Sequence, residues 1–307
     1  AKGADTIAMG PGTRPTLLST VLLHLVAGLE EDPCASHISN VHRFWPRDQT
    51  RPQHPSTYAP PADLASRSFV ILAAPRSASN SLVNVLNRKI VNGSYTQNPY
   101  VEANPEVFHP ESMSGKFAHA GWTPAARDAN RSEFMRRIFE LDEFPGVPGA
   151  RARGLKVFNS HLSEDELRLI TRQKHVLKIV LRRQDTLGQY VSALRAGELG
   201  FWRAPGRLSS GLVLEEDEPV KVPICVEKYE EWLAAHNSWY EWCERESLTH
   251  PESWHFVSTE RLTSDPSALL AIYALLSVPV GALLDYTPYA SDSLEKKVSN
   301  YADIRDL

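Results

Sequence analysis

Two short stretches carry residues able to hold a charged ligand. The first, Pro75-Arg76-Ser77-Ala78-Ser79-Asn80-Ser81, follows an apolar run that ends abruptly at proline, and it is built of small residues and hydroxyls around one cation. If such a turn opens a helix, it presents backbone N–H groups at the positive end of the helix dipole, which is what a phosphate needs. Arg76 adds a guanidinium that can grip the same anion with two hydrogen bonds. The turn is not a Walker A loop, since no GxxxxGK pattern occurs and no lysine precedes the serines. Its plain alternative is a strand-to-helix turn capped by serine. The second stretch, Leu181-Arg182-Arg183-Gln184-Asp185, sets two arginines at the end of another apolar run, with Ser192 further along. A solvated arginine pair is the plain alternative there. Two such sites side by side would suit a nucleotide bearing two separated phosphate groups.

Each stretch needs a strand before it and a helix after it. Ser68 to Ala74, SFVILAA, is a short run rich in apolar residues, and Leu82, Val83, Leu86 and Ile90 then recur at helical spacing. The same grammar returns in His175 to Leu181, HVLKIVL, followed by Leu187, Tyr190, Val191, Leu194 and Arg195. Two buried strands, each feeding a helix, predict an α/β fold: a central, mainly parallel sheet flanked by helices. Ligands bind at the carboxyl ends of strands in such sheets. Gly154 to Phe158 and Trp254 to Ser258 are further strand candidates. Val226 to Glu246 and Pro266 to Leu276 are helix candidates, the latter capped by Ser264 or Asp265. The stripe of Trp232, Leu233, Trp239, Tyr240 and Trp242 reads as core packing. The long stretch Phe201 to Pro223, with FWRAPG and an acidic EEDE, reads as a lid or substrate-binding loop.

The bulk composition narrows the partners. The chain has 307 residues, 42% hydrophobic and 23% charged, with a net charge of -4, so no global field draws it to nucleic acid or an anionic membrane. Any anion must be held by a local site. Cys34, Cys225 and Cys243 are an odd, widely spaced set, which predicts neither a disulfide framework nor a thiolate zinc site and points to a reducing, cytoplasmic setting. The apolar run Thr16 to Leu29 is interrupted by His24 and falls short of the roughly 20 residues that span a bilayer, so it reads as a packed helix and not an integral membrane segment. A truncated signal anchor is the other reading of that run. Trp45 to Pro61 is a proline-rich linker or strap. The expected organisation is therefore an N-terminal helix and linker of unassigned role over residues 1–66, then one domain over residues 67–307.

Taken in order along the chain, several segments resemble the PAPS-dependent sulfotransferases, in particular the bacterial branch containing the trehalose and nodulation-factor enzymes. SFVILAAPRSASNSLVNVLN is similar to their 5′-phosphosulfate loop, and LRRQDTLGQYVSALRA to their 3′-phosphate segment, in which a strand-end arginine, here Arg183, precedes a serine, here Ser192. Pro105-Glu106-Val107-Phe108-His109-Pro110 resembles the segment carrying the proposed catalytic glutamate. Gly154-Leu155-Lys156-Val157-Phe158 with His161, and Leu294 to Tyr301, resemble two later elements. The likeness runs from about Ser68 to the C-terminus. Two positions depart from it: Ala78 stands where the family has glycine, and Asn104-Pro105 where a glycine precedes the glutamate.

The resemblance implies a P-loop sulfotransferase-like fold and a donor, PAPS (3′-phosphoadenosine 5′-phosphosulfate), that leaves as PAP. Pro75 to Ser81 would bind the 5′-phosphosulfate, with Arg76 stabilising the departing phosphate. Arg183 and Ser192 would bind the 3′-phosphate. Glu106 would take the proton from a small-molecule, sugar or lipid acceptor. On chemistry alone, Glu102 and His109 are rivals for that role, and His109 has the better unperturbed pKa for a base. Lys156 would be a donor contact. No metal is expected, because a sulfuryl group carries less charge than a phosphoryl dianion. A homodimer is what the bacterial members suggest. The competing readings are a small-molecule kinase with an atypical phosphate loop, and a non-catalytic nucleotide-binding scaffold using its Trp-rich helix as a partner surface.

Overall fold

The computed structural model describes residues 67–91, 94–104, 107–108, 117, 121–139, 152–199, 221–278 and 293–304. The helix expected over Thr16–Leu29, the linker Trp45–Pro61, the loop 201–220, and Pro105, Glu106, His109 and Pro110 lie outside these residues. The strands are β1 (Arg67–Ala73), β2 (Arg88–Val91), β3 (Ser94–Gln97), β4 (Val101–Asn104), β5 (Ala152–Phe158), β6 (Val176–Arg182) and β7 (Trp254–Ser258). The helices are α1 (Ser79–Asn87), α2 (Pro124–Ala129), α3 (Arg131–Phe139), α4 (Glu164–Thr171), α5 (Thr186–Leu199), α6 (Val226–Ser247), α7 (Thr259–Ser264), α8 (Pro266–Leu275), α9 (Leu294–Lys297) and α10 (Tyr301–Ile304).

Five strands form one parallel sheet in the order β4-β5-β1-β6-β7, and β2 and β3 pair separately as an antiparallel ribbon. The chain leaves β1 for the far edge at β4, returns beside β1 as β5, and then crosses to β6 on the other flank. This reversal makes β1 the switch strand, and the crevice outside its carboxyl end is where such sheets bind ligands.

The central strands lack polar alternation because both sheet faces are covered. Phe69, Ile71 and Ala73 of β1 join a core with Leu82 and Leu86 of α1 and Leu269 and Ile272 of α8. Val70, Leu72 and Ala74 point the other way, into a core with Phe108, Phe134 and the α6 residues Trp239, Tyr240 and Trp242. Each fully buried aliphatic or aromatic side chain of this kind contributes about 1.5–3 kcal/mol. The aromatic stripe of α6 is thus core, as its spacing implies. A third cluster joins Tyr190, Val191 and Leu194 of α5 to Trp232 of α6 and to Val298 and Ile304 near the C-terminus. The Asn300 side chain pins that last segment, giving and receiving one hydrogen bond with the Ile224 backbone, each 2.9 Å.

Several expectations are corrected. The helix after the first turn stops at Asn87, so Ile90 lies in β2 and not on the helix. Asn87 explains the stop. Its side chain pairs with both backbone groups of Ala103 in β4 at 2.7 Å, and its carbonyl accepts from Asn98 N at 2.8 Å. Lys156, on β5 between β4 and β1, is fully buried. Cys225 is disulfide-bonded, which overturns the expectation of a chain without disulfides and removes the cysteine-based reason for a reducing compartment. Cys243 is free and buried. Among the described residues, no helix is long and apolar enough to cross a membrane.

One side chain ties the sheet to α6 at the end that matters. Tyr240 Oη donates to Leu181 O at 2.9 Å and accepts from Ala74 N at 3.2 Å, joining the carboxyl ends of β1 and β6, and its burial raises the phenol pKa. Tyr240→Phe strips both buried backbone groups of their partner. It should lower stability in urea denaturation by about 1–3 kcal/mol, and an unchanged midpoint would show that the hydroxyl holds nothing.

Candidate functional site

The chain leaves β1 at Ala73 and enters α1 at Ser79, and the turn between uses left-handed backbone twice, at Arg76 (φ 63°) and Ala78 (φ 58°, ψ 22°). Such turns curl successive amides around a concavity that suits an anion. Ala78 has a Cβ where the family resemblance has glycine, and the left-handed conformation costs an L-residue about 1–2 kcal/mol. The helix begins with Ser81 N and Leu82 N both donating to Ala78 O, at 2.9 and 3.3 Å. The Ser81 amide is therefore spent within the turn. Ser77 is fully buried, and its hydroxyl has no hydrogen-bond partner among the described residues.

Five side chains from outside the turn, those of Gln189, Thr259, Tyr240, Ser192 and Lys156, meet it or the start of α1. Gln189 Nε2 of α5 donates to Pro75 O at 2.6 Å, and Thr259 Oγ1 of α7 donates to Ser77 O at 2.7 Å. Tyr240 takes the Ala74 amide, as described above. Arg76 Nε in turn donates to Ser192 Oγ of α5 at 2.9 Å. Lys156 reaches the start of α1 from β5, with Nζ 2.6 Å from Asn80 Oδ1 and 4.5 Å from the centroid of the Phe158 ring.

The two arginines after β6 part company. Arg182 turns to α6, donating to Asn237 Oδ1 at 3.1 Å and lying over the Tyr240 ring. Arg183 turns towards the Arg76 side and pairs with Asp185 at 2.6 Å. Asp185 also accepts from Gly188 N at 2.8 Å, capping α5, and a Cβ at Gly188 would collide with that carboxylate and with Arg183. Glu260, at the start of α7, accepts from Gln184 N at 3.0 and 3.1 Å and from Asp185 N at 3.3 Å.

β1 and β6 are direct neighbours, so the two turns read from sequence meet. The pKa of Arg76 is lowered, first by burial and then by the charges of Arg183 and Arg195. Arg183 and Arg195 thus lie near enough to Arg76 for their charges to act on it, with Arg183 itself paired to Asp185. Of the predicted residues, Pro75 to Ser81, Lys156, Arg183 and Ser192 come together here. Glu106 and His109 lie outside the described residues. Val107 and Phe108 between them are buried, and the fully buried Arg127 donates to Val107 O at 3.0 Å.

Sequence reading missed Gln189, Arg195, Tyr240, Thr259 and Glu260. For the first two a signal existed: Gln189, Ser192 and Arg195 recur every three residues, a polar stripe along one side of the helix. Among the described residues, no group of three or more His, Cys, Asp or Glu is placed to share a metal ion.

No family profile and no curated protein matches the sequence. Among solved structures, the chain is similar to a sulfotransferase from Alicyclobacillus acidocaldarius, with TM-score 0.40 and 18% identity over 76% of this chain and 90% of that one. It is also similar to the mouse sulfotransferase SULT7A1 complexed with PAP, with TM-score 0.39 and 16% identity over 71% of this chain and 60% of that one.

The left-handed alanine yields a direct check. Ala78→Gly should raise stability by about 0.5–1 kcal/mol, because relief of the left-handed strain exceeds the entropy added to the unfolded chain. Ala78→Val should lower it by more than about 1 kcal/mol, since a β-branched residue tolerates positive φ worst. Paired thermal or urea denaturation reads both, and a loss on Ala78→Gly would contradict the turn geometry.

Proposed function

We propose that this chain is a sulfotransferase that moves the sulfuryl group of PAPS to a hydroxyl of a small-molecule, sugar or lipid acceptor. One observation carries the reading: the Arg76–Ser192 hydrogen bond joins the first turn to α5, the helix that the second turn opens, with Arg183 and Arg195 close enough to lower the Arg76 pKa. A single cationic crevice with two anion-binding arms suits a nucleotide phosphorylated at both its 3′ and 5′ positions. ATP and adenylyl sulfate lack the 3′ group. The order of the sequence segments along the chain supports the same conclusion.

In this reading the early amides of the turn, with Arg76, hold the 5′-phosphosulfate. The buried Ser77 hydroxyl is a further donor fitted to one of its oxygens, being without another partner among the described residues. Ser192 and Arg183 hold the 3′-phosphate. Lys156, facing α1 through Asn80, adds positive potential under the 5′ arm. Glu106 removes the proton of the acceptor hydroxyl as its oxygen bonds to sulfur, and the bond from sulfur to the phosphate oxygen breaks. The developing charge then falls on PAP, where Arg76 and the turn amides stabilise it. An amine acceptor would meet the same residues.

Transfer from radiolabelled PAPS to a panel of sugars, phenols and lipids tests the activity. Glu106→Gln should abolish turnover and leave PAP affinity near that of the wild type, and a variant keeping most of its rate would place the base elsewhere. Arg183→Ala should weaken PAP binding by about 1.5–3 kcal/mol, roughly ten- to a hundredfold in Kd.

A further inference from the structure

The two anion-binding turns are not held to each other by the ligand alone. Both are gripped by neighbouring residues of a third element, where β7 runs into α7. Thr259 Oγ1 donates to Ser77 O at 2.7 Å in the β1 turn. Glu260, the next residue, accepts from Gln184 N at 3.0 and 3.1 Å and from Asp185 N at 3.3 Å in the β6 turn. The dipeptide is itself fixed. β7 is hydrogen-bonded to β6 in register, with Ser258 opposite Arg182, and Ser258 Oγ accepts from Arg261 N at 3.1 Å to cap α7.

The Glu260 contact passes directly to the charge it controls. The backbone of Asp185 is set by the Glu260 carboxylate, the Asp185 carboxylate sets the Arg183 guanidinium at 2.6 Å, and its second oxygen caps α5 at Gly188. α5 in turn delivers Ser192 to Arg76. One dipeptide therefore touches both turns at once, beside the Gln189–Pro75 and Arg76–Ser192 bonds that reach the first turn from α5.

We infer that Thr259–Glu260 is a positioning clamp that sets the spacing between the 5′ and 3′ phosphate arms, with Glu260 acting as the positioning residue for Arg183. The inference rests on the sulfotransferase reading above. Its physical content is bivalency: a ligand with two anionic ends gains the full benefit of its second contact only when the two arms are held at the matching span. A clamp that is lost leaves each arm able to bind and removes the advantage of binding both.

The test compares PAP, which engages both arms, with 5′-AMP, which engages only the 5′ arm, by calorimetry on the full chain. In Glu260→Gln the affinity for 5′-AMP should stay within about twofold, while PAP binding weakens on the order of tenfold, the size of effect that outer positioning groups exert on a bound ligand. Thr259→Val, which frees the clamp at its other end and also loosens the 5′ turn itself, should weaken both ligands, and PAP by the larger factor. Hydrogen exchange adds a readout independent of ligand, in which the amides of Gln184 and Asp185 should exchange faster in Glu260→Gln than in the wild type. Glu260→Asp keeps the charge on a shorter arm and should recover part of the lost PAP affinity. Equal weakening of PAP and 5′-AMP in Glu260→Gln, or wild-type binding of both, overturns the clamp. A wild-type chain that binds neither ligand overturns the donor reading, and the clamp with it.

Discussion

Three guanidinium groups, those of Arg76, Arg183 and Arg195, are brought together at the carboxyl end of the switch strand, where burial and mutual repulsion lower the pKa of Arg76. Nothing in the hydrophobic core requires this concentration of charge. It is imposed by the rest of the molecule, and the means are mostly hydrogen bonds from neutral side chains to backbone carbonyls: Gln189 to Pro75, Thr259 to Ser77 and Tyr240 to Leu181. The same hydroxyl of Tyr240 also receives the Ala74 amide. In the proposed reading this frame, completed by the Asp185 and Glu260 carboxylates on the β6 side, holds the arginines in place before an anion arrives, so that the site need not rearrange to receive it. The two left-handed residues of the turn, Arg76 and Ala78, belong to the same pattern of strain stored at a site and sustained by its surroundings.

The layout of the sheet makes this possible. β1 and β6 are adjacent and parallel, so their carboxyl ends open on the same side, and α5 runs from one turn across to the other. Arg182 and Arg183 show how finely direction matters. Adjacent in sequence, they part where β6 ends: one lies over the Tyr240 ring and the other pairs with Asp185.

Much of the framework was legible because burial on both faces leaves a plain mark. β1, β5, β6 and β7 are short apolar runs, and α6 and α8 have the length and spacing of packed helices. β4 was not legible: its residues, Val-Glu-Ala-Asn, carry no apolar run, and its place in the sheet is secured by the Asn87 side chain from α1 and by Asn104 bonding Gly154 O. The ribbon of β2 and β3 was hidden because Arg88 to Val91 continues the helical pattern until the backbone of Asn87 is claimed elsewhere. At the site, the turns were legible and their supports were not. Thr259 lies 182 positions from Ser77, and Glu260 lies 76 from Gln184, separations over which no local pattern reports a contact. Ala78, which stands where the resemblance has glycine, takes positive φ and the strain that goes with it.

In the proposed sulfotransferase, a nucleotide is held through two separate phosphate arms, by Arg76 with its turn and by Arg183 with Ser192, and needs no metal ion for it. Titration calorimetry of the full chain with PAP in the presence of a chelator, set beside ATP with magnesium, puts that claim at risk most directly. Binding of PAP that survives the chelator, and that is tighter than binding of ATP with magnesium, is the result predicted. Preference for ATP with magnesium, or no binding of PAP, would contradict it.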